Sequence, residues 1–162
     1  MRRSEPAASM LYLIRHAHAL DGDDDAARPL SDRGREQVKR LAEFLRGNGA
    51  FAAAEIWHSP LMRAGETAAL LARRISFQGV VREVEGLLPE DDPAAIARQV
   101  KTLREPIALV GHEPYLSALA SLLIAGSADR TVFVMKKCAA LALERTIVGW
   151  AACWQISPEL LK

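Results

Sequence analysis

The apolar run Leu11 to Ile14 is followed at once by Arg15 and His16, where a strand that served packing alone would end in Gly, Asn or Asp. The pattern recurs along the chain. The run ending at Trp57 is followed by His58 and Ser59, with Arg63 shortly after, and the run Ile107 to Val110 is followed by Gly111 and His112. Arginines gathered with histidines, and without an acidic metal cage, have the chemistry of an anion site. A guanidinium stays charged at physiological pH and matches two oxygens of a phosphate at once. A neutral imidazole among such cations resists protonation and keeps a lone pair for attack on phosphorus. It can then carry the phosphoryl group covalently while the arginines neutralise the equatorial oxygens. A phosphoryl group suits such a site better than a carboxylate, and this chemistry requires neither metal nor cofactor.

The elements that must position these groups can be read from hydrophobic pattern. Short runs rich in Ile, Val and aromatic residues predict buried strands at Leu11 to Ile14, Ile107 to Val110 and Thr131 to Met135, with a weaker candidate at Ala54 to Trp57. Between them the period is helical. Ser31 can cap "DRGREQVKRLAEFLR", whose Val38, Leu41 and Leu45 form one apolar face before Gly47 and Gly49. "LMRAGETAALLARRI" follows Pro60, "PAAIARQVKTLR" opens with Pro93, and Pro114 repeats the device. Strands alternating with helices predict an α/β fold: a three-layer sandwich with a mostly parallel sheet and helices on both faces. "AALALE" and "VGWAACWQI", joined near Arg145 to Val148, add an antiparallel edge. In such sheets ligands gather at the carboxyl ends of strands, where Arg15, His16, His58, Ser59, Arg63 and His112 are delivered. The helix starts after Ser59 and His112 bring N–H groups to the same place, whereas the one after His16 is delayed to Ser31.

At 162 residues the chain fits one domain, expected over residues 10–162, with residues 1–9 an unstructured extension and Met10 an alternative start. A net charge of +1 gives no broad basic field for nucleic acid. The 2 cysteines, Cys138 and Cys153, have neither the number of a disulfide framework nor metal-ligand spacing, which favours a reducing compartment. No signal peptide and no run long enough to span a membrane is present, so the expected location is cytoplasmic, with no membrane partner.

"LIRHA", "SPLMRAGET" and "LVGHEP", in that order, resemble the histidine phosphatase superfamily, the phosphoglycerate mutase-like proteins. The short length, "RPLSDRG" and the ending "WQISPELLK" resemble its SixA-type phosphohistidine phosphatase branch, and the likeness spans nearly all of residues 10–162. The resemblance implies a phosphoglycerate mutase-like fold and a hydrolase with His16 as nucleophile. It makes Arg15 and Arg63 phosphate-binding residues and His112 the second catalytic histidine. The implied substrate is a phosphohistidine-bearing protein, such as a phosphotransfer domain of a two-component relay or a carrier of the sugar phosphotransferase system. A small phosphorylated substrate is the alternative. Ala17 stands where many members have glycine. Larger members protonate an alcohol leaving group with a glutamate after the third strand; "EVEGLLPEDDP" offers Glu83, Glu85, Glu90 and Asp91 without a clear register, Glu85 being nearest. An imidazole leaving group needs that acid less, because a proton from water or His112 suffices, which favours phosphoramidate over ester substrates.

Plainer roles compete for each residue. Buried histidines bonded to backbone would account for His16 and His112 singly, and a solvated Arg63 could pair with Glu66 one helical turn on. The motif context outweighs both. His18 forms an H-x-H pair with His16, a metal-hydrolase spacing, but further ligands and a larger barrel are missing, leaving His18 near the pocket mouth. His58 has a structural or substrate-edge role, and "DGDDD", Asp21 to Asp25, lacks the calcium-loop pattern and is expected to be solvated. Cys138 and Arg145 have the wrong spacing, with no intervening glycine, for a phosphate loop of cysteine-dependent phosphatases. Beside the phosphohistidine phosphatase stand two rivals: a phosphatase of small phosphate esters and a non-catalytic module that binds phosphorylated partners.

Overall fold

The structure, a computed structural model, describes residues 9–161. Its order is β1 (Met10–Arg15), α1 (Asp32–Asn48), β2 (Glu55–His58), α2 (Met62–Arg74), β3 (Val80–Glu83), α3 (Ala94–Thr102), β4 (Ile107–Gly111), α4 (Tyr115–Ala125), β5 (Ala140–Thr146) and β6 (Gly149–Ile156). Short 3-10 turns lie at Asp25–Ala27 and Pro158–Leu160. The 6-stranded sheet has the order β3-β2-β4-β1-β5-β6. The first four of these run parallel and β5 and β6 antiparallel, as the sequence pattern predicts.

Each face of the sheet is covered by one pair of helices, because side chains alternate across a strand. Leu11 and Leu13 of β1 pack with Trp57, Ile96, Leu109 and Leu116 on the α3/α4 side. Tyr12 and Ile14 pack with Val38, Leu41, Ile56 and Leu71 on the α1/α2 side. No helix among the described residues is long and apolar enough to cross a membrane.

The connections place a crevice at one point. β1 leads toward α1 on one face, and its neighbour β4 leads to α4 on the other. The chain therefore leaves two adjacent parallel strands in opposite directions, opening the sheet at the carboxyl ends where His16 and His112 begin their loops. Because β5 and β6 are antiparallel, the start of β5 and the end of β6 reach this same edge.

Two sequence expectations are corrected. Thr131 to Met135 is not a strand: its carbonyls accept from side chains instead of a ladder, with Ser117 Oγ on Phe133, Gln155 Nε2 on Val134 and Arg15 Nη1 on Met135 at 3.0, 2.8 and 2.9 Å. Its alternation is that of a surface segment tucking Phe133 and Met135 into the core. Conversely, β3 escaped the pattern because, as a short edge strand, it buries no full apolar face. The expected extension over residues 1–9 lies, for residues 1–8, outside the described residues; Ser9 already accepts a backbone bond from Arg145 at 3.0 Å.

The "RPLSDRG" segment is a capping device. Ser31 Oγ accepts from Gly34 N at 3.0 Å, starting α1, and the backbones of Ser31 and His18 are joined at 3.0 Å. A Cβ on Gly34 would sit 2.1 Å from the His18 carbonyl oxygen, so only glycine lets the helix close against the loop after β1. Gly34→Ala is expected to lower stability by roughly 1–3 kcal/mol in urea denaturation, the cost of forced overpacking.

Candidate active site

His16 directly follows β1 and is 7% exposed; His112 directly follows β4 and is 1% exposed. Their ring centroids are 5.1 Å apart, across the crevice between the two strands. The backbone N–H of His16 donates to Gly111 O at 2.8 Å and its carbonyl accepts from Cys138 N at 3.1 Å, so the loop after β1 is held from both sides.

One hydrogen bond orients the ring. His16 Nδ1 lies 2.7 Å from the Ala17 carbonyl oxygen, which can only accept, so Nδ1 carries the proton and Nε2 keeps its lone pair. Burial pushes the His16 imidazole down to about 3, partly opposed by that bond and reinforced by His112, Arg63 and Arg15. His112 is pushed down to about 4, first by burial, then by Arg63, against the opposing carboxylate of Asp25. Both rings are neutral at physiological pH.

Ala17 is itself clamped. Its N–H donates to Thr67 Oγ1 at 3.0 Å, and that hydroxyl donates to the Arg63 carbonyl at 2.7 Å. Thr67 lies one helical turn beyond Arg63 on the buried face of α2, a spacing that makes it findable within "SPLMRAGET". Ser59, at the end of β2's loop, places its Oγ 2.7 Å from His112 Nε2 and accepts from Leu61 N at 3.2 Å. That bond supplies a structural reason for serine in the S-P-x-x-R element.

Arg63 is 6% exposed on the first turn of α2. It does not pair with Glu66, whose carboxylate faces Arg35 at 3.9 Å. Arg63 instead donates through Nη1 to the Asp25 carbonyl at 2.9 Å and meets the Asp25 carboxylate at 3.3 Å. The "DGDDD" loop is exposed throughout, as expected, yet Asp25 also reaches the site, its carboxyl held below the usual range by Arg28 first and Arg63 after. Arg15 anchors Nη1 on the Met135 carbonyl at 2.9 Å. Among the described residues, Arg15 Nε and His112 Nδ1 are buried polar atoms without a protein partner. Buried donors without a protein partner, next to a cationic pocket, suit a bound anion.

The remaining candidates take supporting places. His58 Nδ1 bonds the Ser59 carbonyl at 2.9 Å with its ring against Gly65, a structural role. His18 Nδ1 bonds Ser31 Oγ at 2.6 Å, at the start of α1. Glu85 is exposed on the turn after β3, and Cys138 is fully buried with its thiol pushed up by desolvation. Among the described residues, no three His, Cys, Asp or Glu side chains converge to hold a metal ion.

Residues 11–88 match the family model of the histidine phosphatase superfamily (branch 1), the span that holds Arg15, His16 and Arg63. The whole fold is shared with solved structures. The protein histidine phosphatase SixA complexed with tungstate has a TM-score of 0.85 at 22% identity, covering 94% of this chain and 99% of that one. A protein from Agrobacterium tumefaciens assigned as phosphohistidine phosphatase SixA has a TM-score of 0.76 at 18% identity, covering 93% and 98%. Mycobacterial glucosyl-3-phosphoglycerate phosphatase has a TM-score of 0.72 at 20% identity, covering 90% and 97%. At these identities the likeness is one of fold, and it confirms the phosphoglycerate mutase-like α/β architecture expected from the motifs. No curated protein matches the chain by sequence.

Because both folded-state values lie below histidine's ordinary 6.5, the unfolded chain binds more protons than the native one between about 6.5 and about 3. Stability from these neutral rings is complete above 6.5 and is lost as pH falls toward the folded values. Nitrogen NMR of the labelled protein is expected to find both rings neutral at pH 6.5, with proton uptake only near about 3 and about 4, and His16 in the Nδ1–H tautomer.

Proposed function

We propose that this chain is a metal-independent phosphatase of the histidine phosphatase superfamily that removes the phosphoryl group from phosphohistidine on a protein. The observation that carries this reading is the His16 imidazole. It is neutral, its proton is committed to the Ala17 carbonyl at 2.7 Å, and its Nε2 lone pair is free among Arg15, Arg63 and His112.

In this mechanism His16 Nε2 forms a bond to phosphorus as the P–N bond of the substrate breaks. The departing imidazole nitrogen keeps the bonding pair and takes a proton from solvent water, a proton made good when the water that later attacks phosphorus gives one up. Arg15 and Arg63 neutralise the equatorial oxygens, guanidinium being charged at physiological pH. With the Ser59 hydroxyl donating to His112 Nε2 at 2.7 Å, His112 carries its proton on the buried Nδ1, as a donor to a phosphoryl oxygen. Water then attacks phosphorus, the P–Nε2 bond breaks, the water's proton leaves with hydrogen phosphate or passes to solvent, and His16 returns to its first state. No cofactor takes part. We take the working unit to be the domain of residues 10–162 and its location to be cytoplasmic, a reading that the two unpaired thiols, Cys138 and Cys153, support.

The phosphohistidine assignment is supported by the fold shared with SixA, which was solved with tungstate, a tetrahedral oxyanion like phosphate. It is also supported by the position of Glu85, exposed on the turn after β3, since an imidazole leaves with less help from an acid than an alkoxide does. The same fold occurs in a glucosyl-3-phosphoglycerate phosphatase, which favours a small phosphate ester as the second reading. A non-catalytic binding module would bind such anions without turnover.

Rapid quench with a radiolabelled phosphohistidine protein is expected to trap acid-labile label on His16. His16→Ala is expected to abolish that label and lower turnover by roughly a thousandfold or more, while a chelator leaves the wild-type rate unchanged. Label on another residue, or loss of activity to the chelator, overturns the mechanism. Faster turnover of p-nitrophenyl phosphate than of the phosphoprotein selects the small-ester reading.

A further inference from the structure

A second concave surface adjoins Arg15 on the β5/β6 side, a groove of about 410 Å³. Its walls come from separate stretches that the antiparallel half of the sheet brings to the catalytic edge. Arg33 comes from the first turn of α1, Lys136 and Lys137 from the stretch before β5, and Ser157 and Glu159 from the stretch after β6. Arg15 belongs both to this groove and to the phosphoryl site.

Charge and hydrogen bonding both point to an anionic occupant. Arg15, Arg33, Lys136 and Lys137 share the groove wall with one carboxylate, Glu159, while Asp21 acts on Lys137 and Glu113 on Arg15 from outside it, on a chain whose net charge is only +1. Among the described residues none of these four cations forms an ion pair. The Lys137 ammonium is held below lysine's ordinary value, first by partial burial and then by Arg15, Arg28 and Arg33, so the cations crowd one another at a cost that a negative group would relieve. Ser157 is 9% exposed, and its Oγ has no hydrogen-bond partner among the described residues. A buried hydroxyl without a partner on the wall of a cationic groove is a donor placed for a ligand.

We propose that this groove is a specificity subsite for a carboxylate side chain of the protein substrate, carried on the acidic surface that surrounds the phosphohistidine. The proposal rests on the phosphatase reading above. With the phosphoryl group on Arg15's inner side, an aspartate or glutamate of the same partner reaches the outer side, where Lys136 and Arg33 are exposed and Ser157 Oγ lies deeper. Such a contact adds affinity and steers encounter without touching the reacting atoms.

The test compares two charge variants across substrates. Arg33→Glu with Lys136→Glu reverses two exposed side chains, and Ser157→Ala removes the buried donor with little change of volume. The double reversal is expected to lower kcat/KM on a phosphohistidine protein by roughly tenfold or more, chiefly through KM. It should also flatten the salt dependence, while leaving hydrolysis of p-nitrophenyl phosphate within roughly twofold of wild type. Ser157→Ala should move KM on the protein in the same direction. Unchanged protein turnover, or an equal fall on both substrates, overturns the subsite. A fall confined to a small substrate with two anionic groups shows that the groove serves small molecules, and it overturns the protein assignment. A wild-type enzyme that turns over p-nitrophenyl phosphate but no phosphohistidine protein instead defeats the functional reading on which the subsite rests.

Discussion

The site depends on one short-range constraint: the His16 ring donates from Nδ1 to the carbonyl of its own neighbour, Ala17, at 2.7 Å. That bond decides which nitrogen keeps a lone pair, and it works only if the Ala17 peptide is itself immobile. Thr67 supplies the immobility by accepting the Ala17 N–H and donating onward to the Arg63 carbonyl. His16 and Arg63, the nucleophile and a phosphate ligand in the proposed mechanism, are thus referenced to the same hydroxyl, so a shift of α2 against β1 would move both together. The small side chain at position 17, buried completely, leaves this clamp undisturbed.

The sheet topology sets the next scale. A single parallel crevice would offer two loops to a phosphate. Here β1 and β4 diverge to opposite faces and open that crevice, while β5 and β6, running antiparallel, return Met135 to Cys138 and Ser157 to the same edge. The Met135 carbonyl anchors Arg15 at 2.9 Å, and the Cys138 N–H anchors the His16 carbonyl at 3.1 Å. The antiparallel pair therefore acts as a wall of the pocket as well as an edge of the sheet. A cleft of about 810 Å³ between α3, α4 and the β5–β6 turn lies at the other end of the strands and contains none of these groups.

What was legible in the sequence followed from physics that is local. Strands β1 and β4 are apolar on both faces, the helices carry caps and periodic faces, and their ends name Arg15, His16, Arg63 and His112. What was not legible depends on contacts between distant segments. Thr131 to Met135 mimics a strand because Phe133 and Met135 alternate inward, yet its carbonyls are taken by Ser117, Gln155 and Arg15. The edge strand β3 carries no readable alternation because it is short and mostly exposed, with Val81 packed against the core. The cationic groove was invisible because Arg33, Lys136 and Ser157 are each unremarkable in sequence and become a site only when three distant segments meet.

Asp25 shows why a loop that reads as solvated is tied to the pocket. A guanidinium as buried as that of Arg63 is costly without a countercharge, and removing one member of such a pair leaves an uncompensated ion. Before substrate arrives, the Asp25 carboxylate and carbonyl supply the compensation at 3.3 and 2.9 Å. In the proposed mechanism an incoming phosphoryl group replaces or joins that carboxylate, so Arg63 would exchange one anion for another without passing through an unpaired state. The exchange is affordable because Asp25 itself is exposed and retains Arg28 at 3.1 Å when Arg63 turns to the phosphate. The acidic loop thereby holds the buried guanidinium in place, and it does so from residues that no motif marks.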